Sequence, residues 1–222
     1  MPRRTKEEAM ETRNRLLDAA ECLFQAQGVS RTTLQDIALR AGTTRGAVYW
    51  HFKDKSALFN AMMERIVLPL ESYFDSENSL ANATGSNKFS ALDRTRNAIL
   101  MALNQIVNDV RTRRVLEVAT QKVEYVDEHR NIRLRHLAVR NGFLARVQQG
   151  LDAAARHESL ALPLPSVMAA QGLHALIDGL IQNWLLDPQA FDLQQLGRSA
   201  IDIYFCGLGF RCGPPTPALH LN

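Results

Sequence analysis

The chain has 222 residues, 46% of them hydrophobic and 22% charged, and a formal net charge of +3. That length and apolar content can bury a core in one large or two small domains, which excludes a disordered tail protein. No stretch reaches the about 18 consecutive apolar residues of a membrane span, and the start MPRRTKEEAM lacks the apolar centre of a secretory signal, so the chain is expected in the cytoplasm.

Helical periodicity runs along almost the whole chain, with no internal repeat and no strand-period segment of useful length, so the fold class is all-α. The first helix spans about residues 6–27, with Leu16, Leu17, Ala20, Leu23 and Phe24 facing inward, and Gly28 ends it. Ahead of it Arg3, Arg4 and Lys6 form a basic arm, which either reaches DNA phosphates or is simply solvated.

Residues 33–59, TLQDIALRAGTTRGAVYWHFKDKSALF, spell two short helices around a glycine turn, followed at once by another helix. Leu34, Ile37, Ala38 and Ala41 recur at helical spacing, and Thr32 or Thr33 can cap their helix. Gly42 then supplies a left-handed turn, and Thr43 and Thr44 offer a hydroxyl to cap the next helix. From Arg45 that helix has Ala47, Val48 and Phe52 for packing, which leaves Arg45, Gly46, Tyr49, Trp50 and His51 to point elsewhere.

The pattern is that of a helix-turn-helix, whose second helix presents its N-terminal residues to base edges. Arg45 sits there with a fork of donors suited to guanine O6 and N7, and Gly46 lets the backbone come close to DNA. Tyr49 and His51 suit phosphate oxygens, and Lys53 and Lys55 extend that surface. Thr33 and Thr44, at the two helix starts, complete the DNA-facing set. Trp50 either joins it or packs inward, as large aromatics usually do. Residues 1–65 hold 11 basic and 8 acidic side chains, so the whole positive excess lies with this region. Phosphate neutralisation supplies much of protein–DNA affinity.

A fourth helix runs from about Lys55 through Met62, Met63, Ile66, Val67 and Leu70, with Pro69 favouring a kink, until SENSLANATGSNK at 76–88 breaks the pattern. Further helices are expected at about 89–110, 111–121, 127–156, 166–186 and 192–210, followed by the Pro-rich RCGPPTPALHLN, which is expected to be disordered. The division expected is therefore a reader at 9–69, a helical second domain at 70–210 and a tail at 211–222. In the second domain Gly172, Ala175 and Gly179 form a stripe of small residues that lets another helix approach.

The segment 12–59, TRNRLLDAAECLFQAQGVSRTTLQDIALRAGTTRGAVYWHFKDKSALF, resembles the TetR-type transcriptional repressors. The start PRRTKEEAMETR, the motif QKVEYVDE at 121–128 and GLIQNWLLDPQAFDL at 179–193 look like the AcrR-like subgroup, which represses multidrug efflux pumps. The resemblance implies a palindromic operator on double-stranded DNA and a homodimer formed by the last two helices. It also implies a second domain holding a hydrophobic effector whose occupation moves the fourth helix. Dimerisation has independent support, because one short recognition helix covers few base pairs and two related by a two-fold axis read a palindrome.

The candidate effector lining is Met63, Ile66, Val67 and Leu70, then Ile99 and Leu103, then Gln121, Glu124 and Tyr125, and finally Asp178 and Trp184. For the apolar members simple core is the competing reading. Glu124 and Asp178, carboxylates on largely apolar faces, must pair with a base such as Arg111, Lys122 or Arg140, stay wet or meet a cationic ligand. Met63 and Val67 stand where relatives often place an aromatic and an acidic residue, which weakens the inference of a cationic effector.

No catalytic constellation, metal site or cofactor is expected. The six histidines are scattered, His129 and His136 share a helix face without a third ligand, and no serine elbow or phosphate loop occurs. The three cysteines, Cys22, Cys206 and Cys212, are an odd count that indicates no disulfide framework and no zinc site. Two alternatives stand beside the efflux reading: an architectural DNA-binding protein without an effector, and a repressor of a metabolic operon answering to an acyl or aromatic metabolite.

Overall fold

A computed structural model describes residues 6–66, 90–123 and 130–211. Among these residues the chain forms nine helices and no strand. They are α1 (Lys6–Gln27), α2 (Leu34–Arg40), α3 (Arg45–His51), α4 over the described residues 55–66, α5 (Ala91–Asn108), α6 (Val110–Gln121), α7 (Arg130–Glu158), α8 (Ser166–Leu186) and α9 (Leu193–Gly207). Pro69, the segment 76–88 and the tail beyond Arg211 lie outside the described residues.

The helix ends follow local chemistry. Gly28, at φ +84°, closes α1 and donates its N–H to the Phe24 carbonyl at 2.9 Å. Asp109 caps α6 by accepting from the N–H groups of Arg111 and Thr112, so the break after α5 falls two residues before the expected one. Asp192 caps α9 in the same way, through Gln194 and Gln195.

The chain divides by packing into two compact units, residues 1–72 with 105–141, and residues 73–104 with 142–222. The junction expected between residues 69 and 70 lies outside the described residues. The first unit is larger than a three-helix reader because α6 and the start of α7 share its core. Val115, Val118, Ala119 and Ile132 are buried in one cluster with Leu16, Leu17 and Phe24 of α1, Ile37 of α2, Val48 of α3 and Leu58 of α4. A reader of so few residues buries a smaller share of its surface than a larger domain does, and the added helix faces enlarge its core.

Within this unit a buried ionic cluster ties α4 and α6 to α1. Glu21 is 1% exposed, and its carboxylate meets the Arg65 guanidinium at 2.5 Å and Arg111 Nε at 3.5 Å. Asp18 accepts from the same two arginines, at 2.7 Å and 3.1 Å. Burial raises the Glu21 carboxyl above its ordinary pKa of 4.5, and the two arginines only partly offset that effect.

In the second unit α8 packs on α9. The Tyr204 hydroxyl of α9 donates to the Ala169 carbonyl of α8 at 2.8 Å, and it lies directly over Gly172. At Gly172 the helix that approaches is therefore α9 of the same chain. Ala175 remains exposed, and nothing lies within 4 Å of the position a Cβ would take at Gly179. Cys22 is a free thiol. No helix among the described residues is long and apolar enough to cross a membrane.

Candidate nucleic-acid interface

The turn that enters α2 is closed by a reciprocal cap. Thr33 Oγ1 accepts the Asp36 N–H at 3.1 Å, while the Asp36 carboxylate accepts the Thr33 N–H at 2.9 Å and the Thr33 hydroxyl at 2.7 Å. These bonds from Thr33 hold the Asp36 carboxyl below its ordinary range. Both donors of Thr33 are thus engaged inside α2, at an exposed position where the helix starts. Thr32, the other capping candidate, is buried and donates instead to the Gly28 carbonyl at 2.7 Å.

Gly42, at φ +64°, carries the chain into α3, where Thr44 accepts the Ala47 N–H at 3.2 Å. Val48 is the one fully buried side chain of α3 and fixes that face against the core. The opposite face is open. Arg45 and Gly46 are exposed at the start of the helix, Tyr49 is 47% exposed and Trp50 72%. The Trp50 figure decides between the two sequence readings, because a core tryptophan would be covered.

The exposed residues form a connected surface. Arg45 Nη2 donates to the Tyr49 hydroxyl at 3.1 Å, one turn along α3, and its Cζ lies 5.5 Å from the Tyr49 ring centroid. The His51 ring meets Trp50 edge-on at 4.5 Å. An added Cβ at Gly46 would find only the Thr44 hydroxyl, at an ordinary 3.8 Å, so nothing inside the chain demands glycine there. Arg13 of α1 stands over the Phe52 ring at 5.3 Å and secures the end of α3, a role the sequence did not signal. Leu39 of α2 is 76% exposed beside this surface's first helix, whose apolar face is complete without it.

Lys53 is exposed, as a phosphate contact requires. Lys55 is half-buried. Its ammonium donates to the carbonyls of Val29 at 2.8 Å, Ser30 at 3.2 Å and Thr32 at 3.2 Å. In the free chain its three donors are thus taken up by the turn, with the bond to Ser30 at the surface.

The candidate effector residues do not converge on one described cavity. Met63 and Ile66 lie in the core of the first unit. Gln121 is exposed at the end of α6. Ile99, Leu103 and Trp184 are buried in the second unit, where the Asp178 carboxylate accepts from Gln182 Nε2 at 2.5 Å, in place of the basic partner considered for it. Val67, Leu70, Glu124 and Tyr125 lie outside the described residues. An open groove of about 440 Å³ in the second unit is lined by Asp152, Arg156, Leu160, Leu162, Leu164 and neighbouring residues, none of them a candidate. Among the described residues no group of three metal-ligating side chains comes together.

Comparison with known proteins agrees with this geometry. Residues 16–62 match the model for bacterial regulatory proteins of the tetR family, and residues 90–210 match that for the C-terminal region of MAATS-type transcriptional repressors. The HTH-type transcriptional regulator TtgR of Pseudomonas putida is 40% identical over 87% of this chain and 89% of its own. The crystal structure of NalD, secondary repressor of the MexAB-OprM multidrug efflux pump in Pseudomonas aeruginosa, superposes with a TM-score of 0.80 at 33% identity, covering 91% of this chain and 98% of that one. SmeT, the repressor of the Stenotrophomonas maltophilia efflux pump SmeDEF, solved as a complex with triclosan, superposes with a TM-score of 0.74 at 30% identity, covering 94% and 99%.

Proposed function

Since this chain belongs to the tetR family of bacterial regulatory proteins, we propose that it represses the operon of a multidrug efflux pump. It binds a palindromic operator as a dimer and leaves it when a hydrophobic, drug-like effector binds. The observation that carries the DNA-binding part is the outward face of α3, where Arg45, Gly46, Tyr49 and Trp50 are exposed while Val48 alone is fully buried. A helix that buries one residue of seven and opens a basic, aromatic face is built to be covered by something else.

The efflux part is supported by the kinship with NalD and SmeT, both described as repressors of such pumps, and the triclosan in SmeT illustrates the ligand class. The effector is assigned to the second unit, which holds four of the expected lining residues, Ile99, Leu103, Asp178 and Trp184. The dimer is assigned to α8 and α9, which expose Met168 at 58%, Leu186 at 72% and Ile203 at 72%. The site of action is the cytoplasm, where the operator lies.

The test is selection of bound duplexes from a randomised library, followed by a reporter carrying the selected duplex and a panel of dyes, antibiotics and phenolic biocides. A palindromic selected sequence and relief of repression by apolar compounds are expected. Selection of a palindrome with no compound that relieves repression would leave a DNA-binding regulator and remove the efflux reading.

A further inference from the structure

We propose that Lys55 is a positioning residue of the DNA-reading site: from the start of α4 it holds the turn that feeds α2, and thereby sets the pose of α2 and α3. This rests on the reading above that α3 contacts DNA. The turn between α1 and α2 occupies residues 28–33, and its last residue, Thr33, is the N-cap of α2. Whatever fixes these carbonyls fixes where α2 begins. α2 packs directly on α3, so the orientation of the exposed face is set at the same place.

Other polar groups of the turn have partners besides Lys55. The Gly28 carbonyl accepts the Thr32 hydroxyl, the Gln27 carbonyl accepts Arg31 Nε at 2.9 Å, and the Val29 N–H donates to the Lys122 carbonyl at the end of α6 at 3.0 Å. The carbonyls of Val29, Ser30 and Thr32 converge on the single ammonium of Lys55. Val29 and Thr32 are both 0% exposed, and while the Val29 carbonyl also accepts the Thr32 N–H at 3.3 Å, water cannot readily replace the lysine at the Thr32 carbonyl. The end of α1 also carries partial negative charge, which favours a cation at this place. Turning the ammonium outward to a phosphate would break all three bonds. Lys53, two residues earlier and exposed, reaches the solvent without that cost.

Two duplexes distinguish positioning from phosphate contact: one selected from a randomised library by the parent chain, and a scrambled one of the same composition. Lys55→Met is expected to bind the selected duplex on the order of tenfold more weakly, to bind the scrambled duplex as the parent does, and to keep the parent's salt slope. Equal losses on both duplexes with a salt slope smaller by about one per half-site would identify a phosphate contact and overturn the proposal. An unchanged ratio of the two affinities, measured well below the melting temperature, would reduce Lys55 to a merely stabilising residue and overturn it equally.

Reductive methylation of the parent chain, read residue by residue by mass spectrometry, needs no variant. Lys55 is expected to react slowly with or without the selected duplex, and Lys53 to react fast and to be protected only by DNA. A Lys55 that reacts as fast as Lys53 in the free protein refutes the assignment even where the methionine variant fails to fold. A parent chain that selects no preferred duplex removes the DNA-reading function itself, and that result is visible before any variant is made.

Discussion

Arg45 and Tyr49, one turn apart on α3, are joined by a hydrogen bond of 3.1 Å from guanidinium to phenol hydroxyl on the exposed face of the helix. The pair limits the rotamers of Arg45 without covering its remaining donors, so the fork is partly ordered before any base is met. Replacing Arg45 with alanine should cost about 1–3 kcal/mol of operator binding per half-site. Because Arg45 is exposed, melting temperature and dimerisation should be those of the parent. Gel-shift titration at fixed salt checks the first expectation and calorimetry the second; unchanged affinity would remove Arg45 from the reading surface.

Gly46→Ala should separate folding from function. Glycine within a helix is less favourable than alanine by up to about 1 kcal/mol, and an added Cβ at residue 46 meets only the Thr44 hydroxyl at 3.8 Å. The variant should therefore unfold at equal or higher temperature than the parent. Its operator affinity should fall, because the methyl group stands where the backbone of α3 approaches DNA. A variant that binds as tightly as the parent would show that the glycine serves neither purpose.

The Glu21 cluster predicts a pH dependence with a definite sign. Burial raises the folded carboxyl above 4.5, so between that value and the folded pKa the native state holds a proton that the unfolded chain has released. Stability from this group is fully present below pH 4.5 and is lost as pH rises through the folded pKa. Urea unfolding of parent and Glu21→Gln across this window should show the parent losing stability relative to the variant as pH increases, and then a plateau. A parent that gains on the variant with rising pH would mean that Arg65 and Arg111 outweigh the burial.

The cap of α2 and the exposed face of α3 were legible in the chain because their causes are local. Thr33 and Asp36 stand three residues apart, Gly42 follows the last periodic apolar residue, and Arg45 opens a helix whose packing positions are already filled. Lys55 was not legible in that way. A lysine shortly after a recognition helix reads the same whether its ammonium meets a phosphate or the carbonyl of a residue 26 positions earlier, and only tertiary closure decides. Met63 and Ile66 show the same limit: helical periodicity marks an inward face without saying whether a core or a ligand lies inside it. The sharing of one core by α1 and α6 is a long-range fact that no local pattern carries.

Gly172 and Gly179, two turns apart on α8, look alike as members of a small-residue stripe, yet they should respond to substitution in opposite ways. At Gly172 an added Cβ would collide with the Tyr204 hydroxyl, which donates to the Ala169 carbonyl, so Gly172→Ala must displace a half-buried ring and break that bond. Overpacking of this kind costs about 1–3 kcal/mol and should appear as a lower melting temperature of the single chain. At Gly179 nothing of the same chain lies within 4 Å of an added Cβ, so a side chain there should leave the fold of one subunit intact. Gly179→Arg should therefore disturb only a helix from a second copy. Sedimentation at micromolar concentration is expected to show a folded monomer for this variant and a dimer for the parent. A Gly179→Arg protein that stays dimeric would move the interface away from this face of α8, and a parent that sediments as a folded monomer would remove the dimer altogether.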